Sequence, residues 1–284
     1  MLEDGFLLVD KESGWTSRDV CNKIRNRFII KKVGHIGTLD PFATGLLIVS
    51  INKATKAGQF LENHDKSYLA TLELGESRDG GDLTCELLEK KDIPTLTEEK
   101  IKEVLNSFIG EMDQVPPLKS AVHYQGRKLY EYAYTGEKVT PPSRKVTIYS
   151  LDLVSFNEHS LTFRCRVSKG TYIRVLGEDI AKRLGTLGYL SSLRRETVGD
   201  ITLENARKIA DIDLNEMLPV SALLKHIHPI YVDEILVDKA KRGLTIFFKN
   251  QKDDIVLLLD GEGNAIAVYQ RVEGDLYKSY RGLF

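Results

Sequence analysis

Apolar residues recur along this chain with two periods, one near two and one near 3.6, and the switches between them predict a mixed order of strands and helices. Phe6, Leu7, Leu8 and Val9 dominate residues 5–10, which reads as a short buried strand. Thr16 or Ser17 then offers a hydroxyl to cap a helix running through Val20, Ile24 and Arg27. Residues 46–51 and 68–74 look like strands. Thr97, with Glu99 and Lys100 after it, opens an amphipathic helix carrying Ile101, Val104, Leu105 and Phe108, and Gly110 stops it. Residues 146–154 and 162–167 alternate like antiparallel strands, and 175–184 continue as a helix ending at Gly185. After Leu218 and Pro219 the pattern turns to short strands at 243–248, 255–259 and 265–271, separated by polar stretches at 250–254 and 261–264. The expected architecture is an α+β domain over residues 1–225 and a separate small β-barrel over 228–284. No internal repeat or low-complexity tract is present.

Residues 114–145 fit neither period. Pro116-Pro117, Gly126, Gly136 and Pro141-Pro142 punctuate a stretch holding Tyr124, Tyr130, Tyr132 and Tyr134 beside Lys119, Arg127 and Lys128. A long irregular or hairpin insertion in a compact domain is usually functional or disordered. Rings beside cations suit base stacking and phosphate contact, although a tyrosine-rich hairpin packed on its own domain has the same composition.

With 284 residues, 42% of them hydrophobic, the chain can bury a sizeable core. Forty basic against forty-one acidic side chains give a net charge of −1, so bulk charge does not announce a nucleic-acid binder. Distribution says more: residues 23–32 hold five cations and no acid, and 164–174 hold four and no acid, whereas 76–103 is acid-rich. The start, Met1-Leu2-Glu3-Asp4, lacks a basic region and a long apolar run, and the longest apolar runs are strand-sized, so the expected location is cytoplasmic. Cys21, Cys85 and Cys165 are far apart and lack zinc-site spacing, which reads as reduced, buried thiols.

The most informative segment is Gly34-His35-Ile36-Gly37-Thr38-Leu39-Asp40-Pro41-Phe42-Ala43-Thr44-Gly45. Pro41 biases Asp40 toward an extended backbone, and glycines at 34, 37 and 45 permit turns on either side. A carboxylate held this way suits chemistry, and the same residues also make ordinary surface turns.

Its company separates those readings. Lys11-Glu12-Ser13-Gly14-Trp15-Thr16-Ser17 precedes the loop, Lys66-Ser67-Tyr68 follows it, and Ser168-Lys169-Gly170-Thr171-Tyr172-Ile173-Arg174 and Leu193-Arg194-Arg195 come later. In that order these strings resemble the TruB family, the bacterial tRNA pseudouridine-55 synthases, over roughly residues 5–200. The resemblance implies a pseudouridine synthase fold with a mixed, mainly antiparallel sheet, followed by a PUA-like RNA-binding barrel. It implies isomerisation of a T-loop uridine without cofactor or metal, by a protein that grips the tRNA T-arm and elbow through the 114–145 insertion; a monomer is expected because no apolar stripe is left over after the core assignments. Asp40 would be the nucleophile, Arg174 its paired cation and Tyr68 the ring beneath the flipped base. His35 would fill the vacated stack, Tyr172 and Leu193 would line the uracil pocket, and Lys11 would support the loop or contact RNA.

Glu12, His123 and Gly80 stand where the family usually has proline, lysine and threonine, and none removes a matched catalytic group. Two further readings stay open at this level: an RNA-refolding protein built on the aromatic, basic insertion, and a metal-dependent hydrolase using His35 and Asp40. A catalytic subunit of a guide-RNA complex belongs to the same superfamily, but without a long lysine-rich extension a stand-alone enzyme is expected.

Overall fold

The computed structural model describes residues 4–137 and 139–284, so Met1-Leu2-Glu3, on which part of the location reading falls, lies outside the described residues. The chain forms β1 (Gly5–Lys11), α1 (Ser17–Phe28), β2 (Val33–Ile36), β3 (Thr44–Ile51), β4 (Lys66–Leu74), β5 (Glu76–Arg78), β6 (Leu87–Lys90), α2 (Glu98–Asn106) and β7 (Gly110–Gln114). Next come β8 (His123–Tyr124), β9 (Arg127–Lys128), α3 (Leu129–Thr135), β10 (Arg144–Phe156), β11 (Ser160–Val167), α4 (Ile173–Arg183) and β12 (Gly188–Val198). The remainder holds β13 (Ile201–Thr202), α5 (Val220–Leu223), β14 (His228–Tyr231), α6 (Glu234–Lys241), β15 (Ile246–Phe247), β16 (Ile255–Leu259), β17 (Ala265–Glu273) and β18 (Leu276–Gly282). Two compact units result, one of Met1–Pro41, Gly45–Asn63 and Ile201–Phe284, the other of Phe42–Thr44 and His64–Asp200.

In the first unit β3 is flanked antiparallel by β1 and β2, with Lys11 opposite Gly45 and His35 opposite Val49. β3 is buried along almost its whole length, as its run Leu46-Leu47-Ile48-Val49 requires. Helix α1 begins with a capping box: the Thr16 hydroxyl accepts from the Asp19 amide and the Asp19 carboxylate accepts from the Thr16 amide, both at 3.0 Å. It ends at Ile29, which adopts the left-handed conformation with φ 55° and is 91% exposed. A β-branched residue pays for that conformation where glycine would not. Replacing Ile29 by glycine is therefore expected to raise the unfolding free energy by about 1 kcal/mol, measured by urea titration.

The same unit contains a five-stranded sheet in the order β14, β16, β17, β18, β15, parallel at β14 and antiparallel elsewhere. Its interior is formed by Val256, Leu258, Tyr269, Tyr277 and Phe248, with the Phe248 and Tyr277 rings edge to face at 5.4 Å. Within the expected strand 243–248 only Ile246 and Phe247 pair, and β14, α6 and β18 were not legible from the pattern.

In the second unit β4 is central. It pairs antiparallel with β11 on one side and β12 on the other, and β10 and β7 extend the sheet beyond β11. Its strict alternation buries Lys66, Tyr68, Ala70, Leu72 and Leu74. Helix α4 packs on β12 and β4, and the reason is visible at Gly177, where a Cβ would lie 3.0 Å from Leu190 and 3.3 Å from Leu72. Gly110 ends the α2 segment as expected, but at φ 116° it also opens β7. The 114–145 segment is more ordered than an irregular insertion: β8 and β9 make a hairpin, and α3 follows with Leu129 and Tyr132 buried.

Burial pushes the thiols of Cys21 and Cys165 up to about 11 and about 12. Cys85 departs from the expectation, being only partly buried, with its sulfur 3.6 Å from the Asp82 carboxylate and 3.9 Å from the Lys119 ammonium. Among the described residues no helix is long and apolar enough to cross a membrane.

Candidate active site

Lys11, His35 and Asp40 lie in the first unit. Asp40 occupies the loop between β2 and β3, and the residues on either side of it are clamped through their main chain. Before it, the buried Ser17 hydroxyl accepts from the Leu39 amide at 2.9 Å and donates to the Leu39 carbonyl at 3.1 Å. After it, the Pro41 carbonyl accepts from the Lys11 ammonium at 3.1 Å and from the Gly14 amide at 2.9 Å. Lys11 also donates to the Glu12 carbonyl at 3.1 Å and has no exposed surface.

These contacts follow from local structure. Lys11 is the last residue of β1, paired with Gly45, which places its side chain at the root of the Asp40 loop. Ser17 is the first residue of α1, so the capping of that helix by Thr16 fixes the hydroxyl that grips Leu39. A buried ammonium is costly unless it is hydrogen-bonded, and here its partners include the carbonyl next to Asp40. Gly37 and Gly45 have φ of 68° and 99° and supply the turns. Gly34 does not: it is a strand residue of β2, close to the Ser50 hydroxyl. His35 is also on β2, one position from the buried Ile36. The spacing rules could not find Ser17 as a clamp, although its place one residue after a helix-capping threonine was the available signal.

Tyr68, Tyr172, Arg174 and Leu193 lie in the second unit. Tyr68 is buried on β4 directly between Cys165 of β11 and Arg195 of β12. Leu193 is opposite Ala70, so it shares the face that carries Tyr68. Since Gly177 of α4 sits over Leu72 and Leu190 and Ala181 sits over Gly188, Arg174, one turn before Gly177, lies toward the Leu193 end of β12.

Arg174 is 4% exposed, so it is not the exposed helix-start cation that its position alone allowed. Its guanidinium donates to the Gly80 carbonyl and, at 3.2 Å, to the Lys119 carbonyl, and it lies 3.9 Å from the buried Asp82 carboxylate. Asp82 in turn accepts from the Thr84 amide at 3.0 Å and hydroxyl at 2.6 Å. One turn along the helix, burial pushes the Glu178 carboxyl up. Tyr172 is the N-cap residue of α4, and both its amide and its carbonyl are bonded to the Gln114 side chain, at 2.7 and 3.1 Å.

The insertion uses part of its aromatic and basic content internally. Tyr132 is buried, its hydroxyl donates to the Tyr124 carbonyl at 3.0 Å, and its ring lies 4.0 Å from the Arg127 guanidinium. Arg127 is also held by both Glu137 oxygens, at 3.0 and 2.6 Å, while Tyr134 is 87% exposed. Of the cations in 164–174, Arg164 pairs with Glu196 and Arg166 with Asp65. Among the described residues no group of three or more His, Cys, Asp or Glu side chains is placed to hold a metal ion.

A model of the TruB family pseudouridylate synthase N-terminal domain matches residues 25–173. The tRNA pseudouridine synthase B of Hydrogenovibrio crunogenus is 38% identical over 268 residues, 93% of this chain and 88% of that protein. The protein of the same name from Caldanaerobacter subterraneus subsp. tengcongensis is 40% identical over 272 residues, 94% of this chain and 95% of that one. Among solved structures, a Cbf5-Nop10-Gar1 complex aligns with TM-score 0.72 at 25% identity over 96% of this chain and 80% of the solved one. An H/ACA RNP bound to a substrate RNA containing 2'-deoxyuridine aligns with TM-score 0.74 at 21% identity, covering 99% and 85%, and so shares the fold.

Proposed function

The chain belongs to the TruB family of tRNA pseudouridine synthases, and we propose that it isomerises one T-loop uridine, position 55, to pseudouridine with Asp40 as the nucleophile. As a member of that family it is an isomerase of α+β pseudouridine synthase fold with a C-terminal PUA-like barrel. The observation that carries the mechanistic reading is the double clamp around Asp40: Ser17 holds Leu39, and Lys11 with Gly14 holds Pro41. A carboxylate whose neighbours on both sides are fixed is presented in one orientation, which is what nucleophilic attack on a bound sugar or base needs.

The reaction breaks the bond between C1′ and N1, turns the freed uracil, joins C1′ to C5 and moves the C5 proton away, N1 gaining one. No electron is gained or lost. The T-loop uridine is reached by flipping it out of the folded arm at a cost of a few kcal/mol. His35 fills part of the space it leaves, Tyr68 stacks against the uracil and its hydroxyl serves the C5 proton, Tyr172 and Leu193 wall the pocket, and Arg174 supplies the positive charge. Residues 114–145 and 228–284 hold the RNA, with Tyr134 the ring most available for a base, and the enzyme acts as a monomer.

A transcript of unmodified tRNA labelled with tritium at uridine C5 tests this. The expected result is release of one equivalent per tRNA, traced to the T-loop by sequencing; release from another arm, or none, refutes the assignment. Lys11→Met keeps the buried stem and removes the donor to Pro41. It is expected to slow release by about 100-fold, the scale of a misplacement near 1 Å, while tRNA affinity by filter binding stays within about threefold.

A further inference from the structure

The insertion leaves and rejoins the sheet at one rung, where Gln114 of β7 pairs with Arg144 of β10. Gln114 is 3% exposed, and its amide faces the peptide of Tyr172 in a closed pair: the side-chain oxygen accepts from the Tyr172 amide and the side-chain nitrogen donates to the Tyr172 carbonyl. Tyr172 has no side-chain cap bond of its own at the start of α4. A second tie runs parallel to the first, because the carbonyl of Lys119 accepts from Arg174, two residues further on. The Lys119 ammonium meanwhile reaches Asp79, at 2.9 Å to its carbonyl and 2.8 Å to its carboxylate, on the segment that offers Gly80 and Asp82 to the same guanidinium.

We infer that Gln114 is a positioning residue for the reaction: it holds Tyr172 and the first turn of α4 in register with the root of the insertion, so that the RNA-binding segment and the uracil pocket act as one piece. The inference rests on the function proposed above. An amide is suited to this task because only a group that both donates and accepts completes both halves of a peptide, and a buried half-made pair leaves a polar group unsatisfied. Gln114 touches neither base nor sugar in this scheme, so its loss acts through the placement of Tyr172 and Arg174.

The experiment compares native chain, Gln114→Met and Gln114→Glu for single-turnover tritium release, tRNA affinity and thermal unfolding. Gln114→Met keeps the length of the side chain and loses both bonds. It is expected to lower the single-turnover rate about 100-fold at an affinity within about threefold of native. Gln114→Glu keeps the acceptor for the Tyr172 amide and sets a carboxylate against the Tyr172 carbonyl, so its rate falls between the two; should the methionine variant fail to fold, this variant carries the test. Native rates in both variants would overturn the inference, as would loss of affinity and folding in step with rate. Absence of release from the native chain would instead strike the proposed function, and the two failures are thereby distinct.

Discussion

Asp40→Asn is expected to reduce tritium release by more than about 10⁴-fold, to the background of the assay, while the tRNA dissociation constant stays within about threefold. The amide has the carboxylate's shape without its charge or nucleophilicity, so the proposed covalent step would be lost while the volume is kept. The fold at the loop is expected to survive, since the Ser17 and Lys11 bonds reach the main chain of Leu39 and Pro41 rather than the side chain between them. Binding is expected to survive for another reason: in the proposed scheme phosphate and stacking contacts supply affinity, and chemistry takes place at one nucleotide. A variant that loses affinity along with turnover would mean that Asp40 organises the RNA-binding surface, and the nucleophile assignment would fall. A variant that still speeds tRNA refolding in a melting assay would show that unstacking the T-arm is a second activity, separable from isomerisation.

Elements with an unbroken period or a dense apolar run are legible in the residues, whereas those whose period is broken among polar residues are not. β4 alternates without a fault over Lys66–Leu74 and was read nearly in full, as were α1 and α2 with their capping threonines. β12 was missed for a structural reason. Its register shifts between Leu190 and Ser192 and again between Arg195 and Thr197, so its buried residues fall at 188, 190, 193, 195 and 198 and no period of two survives. β18 carries too few apolar residues to announce itself, and of the strand expected at 243–248 only the two residues of β15 pair. At the site, the glycines and Pro41 flagged Asp40 through local conformational chemistry. The clamps on Leu39 and Pro41 join positions 22 and 30 residues apart, and the Gln114 pair spans 58, so local pattern carries no trace of them. The roles of Tyr68, Tyr172, Arg174 and Leu193 came from family resemblance alone.

Arg174→Met is expected to cost about 3 kcal/mol in unfolding free energy as well as most of the activity, which sets it apart from Asp40→Asn. The loss comes from what the guanidinium leaves behind. Asp82 is buried and would keep its Thr84 bonds and the more distant Lys119 ammonium but lose the guanidinium beside it, and the partly buried carbonyls of Gly80 and Lys119 would each lose a donor. Arg174→Lys restores the charge without the planar fork that serves several acceptors at once, so it is expected to recover less than half of the stability and little of the rate. Urea titration with an unchanged m-value measures the first quantity and tritium release the second. A methionine variant within about 1 kcal/mol of native would show that Asp82 and the two carbonyls find other partners, and the view of Arg174 as the tie between α4, the Gly80 segment and the insertion would fail. If stability were lost and the lysine variant turned over at the native rate, charge alone would be sufficient for catalysis, and the bonds to Gly80 and Lys119 would belong to the fold rather than to the reaction.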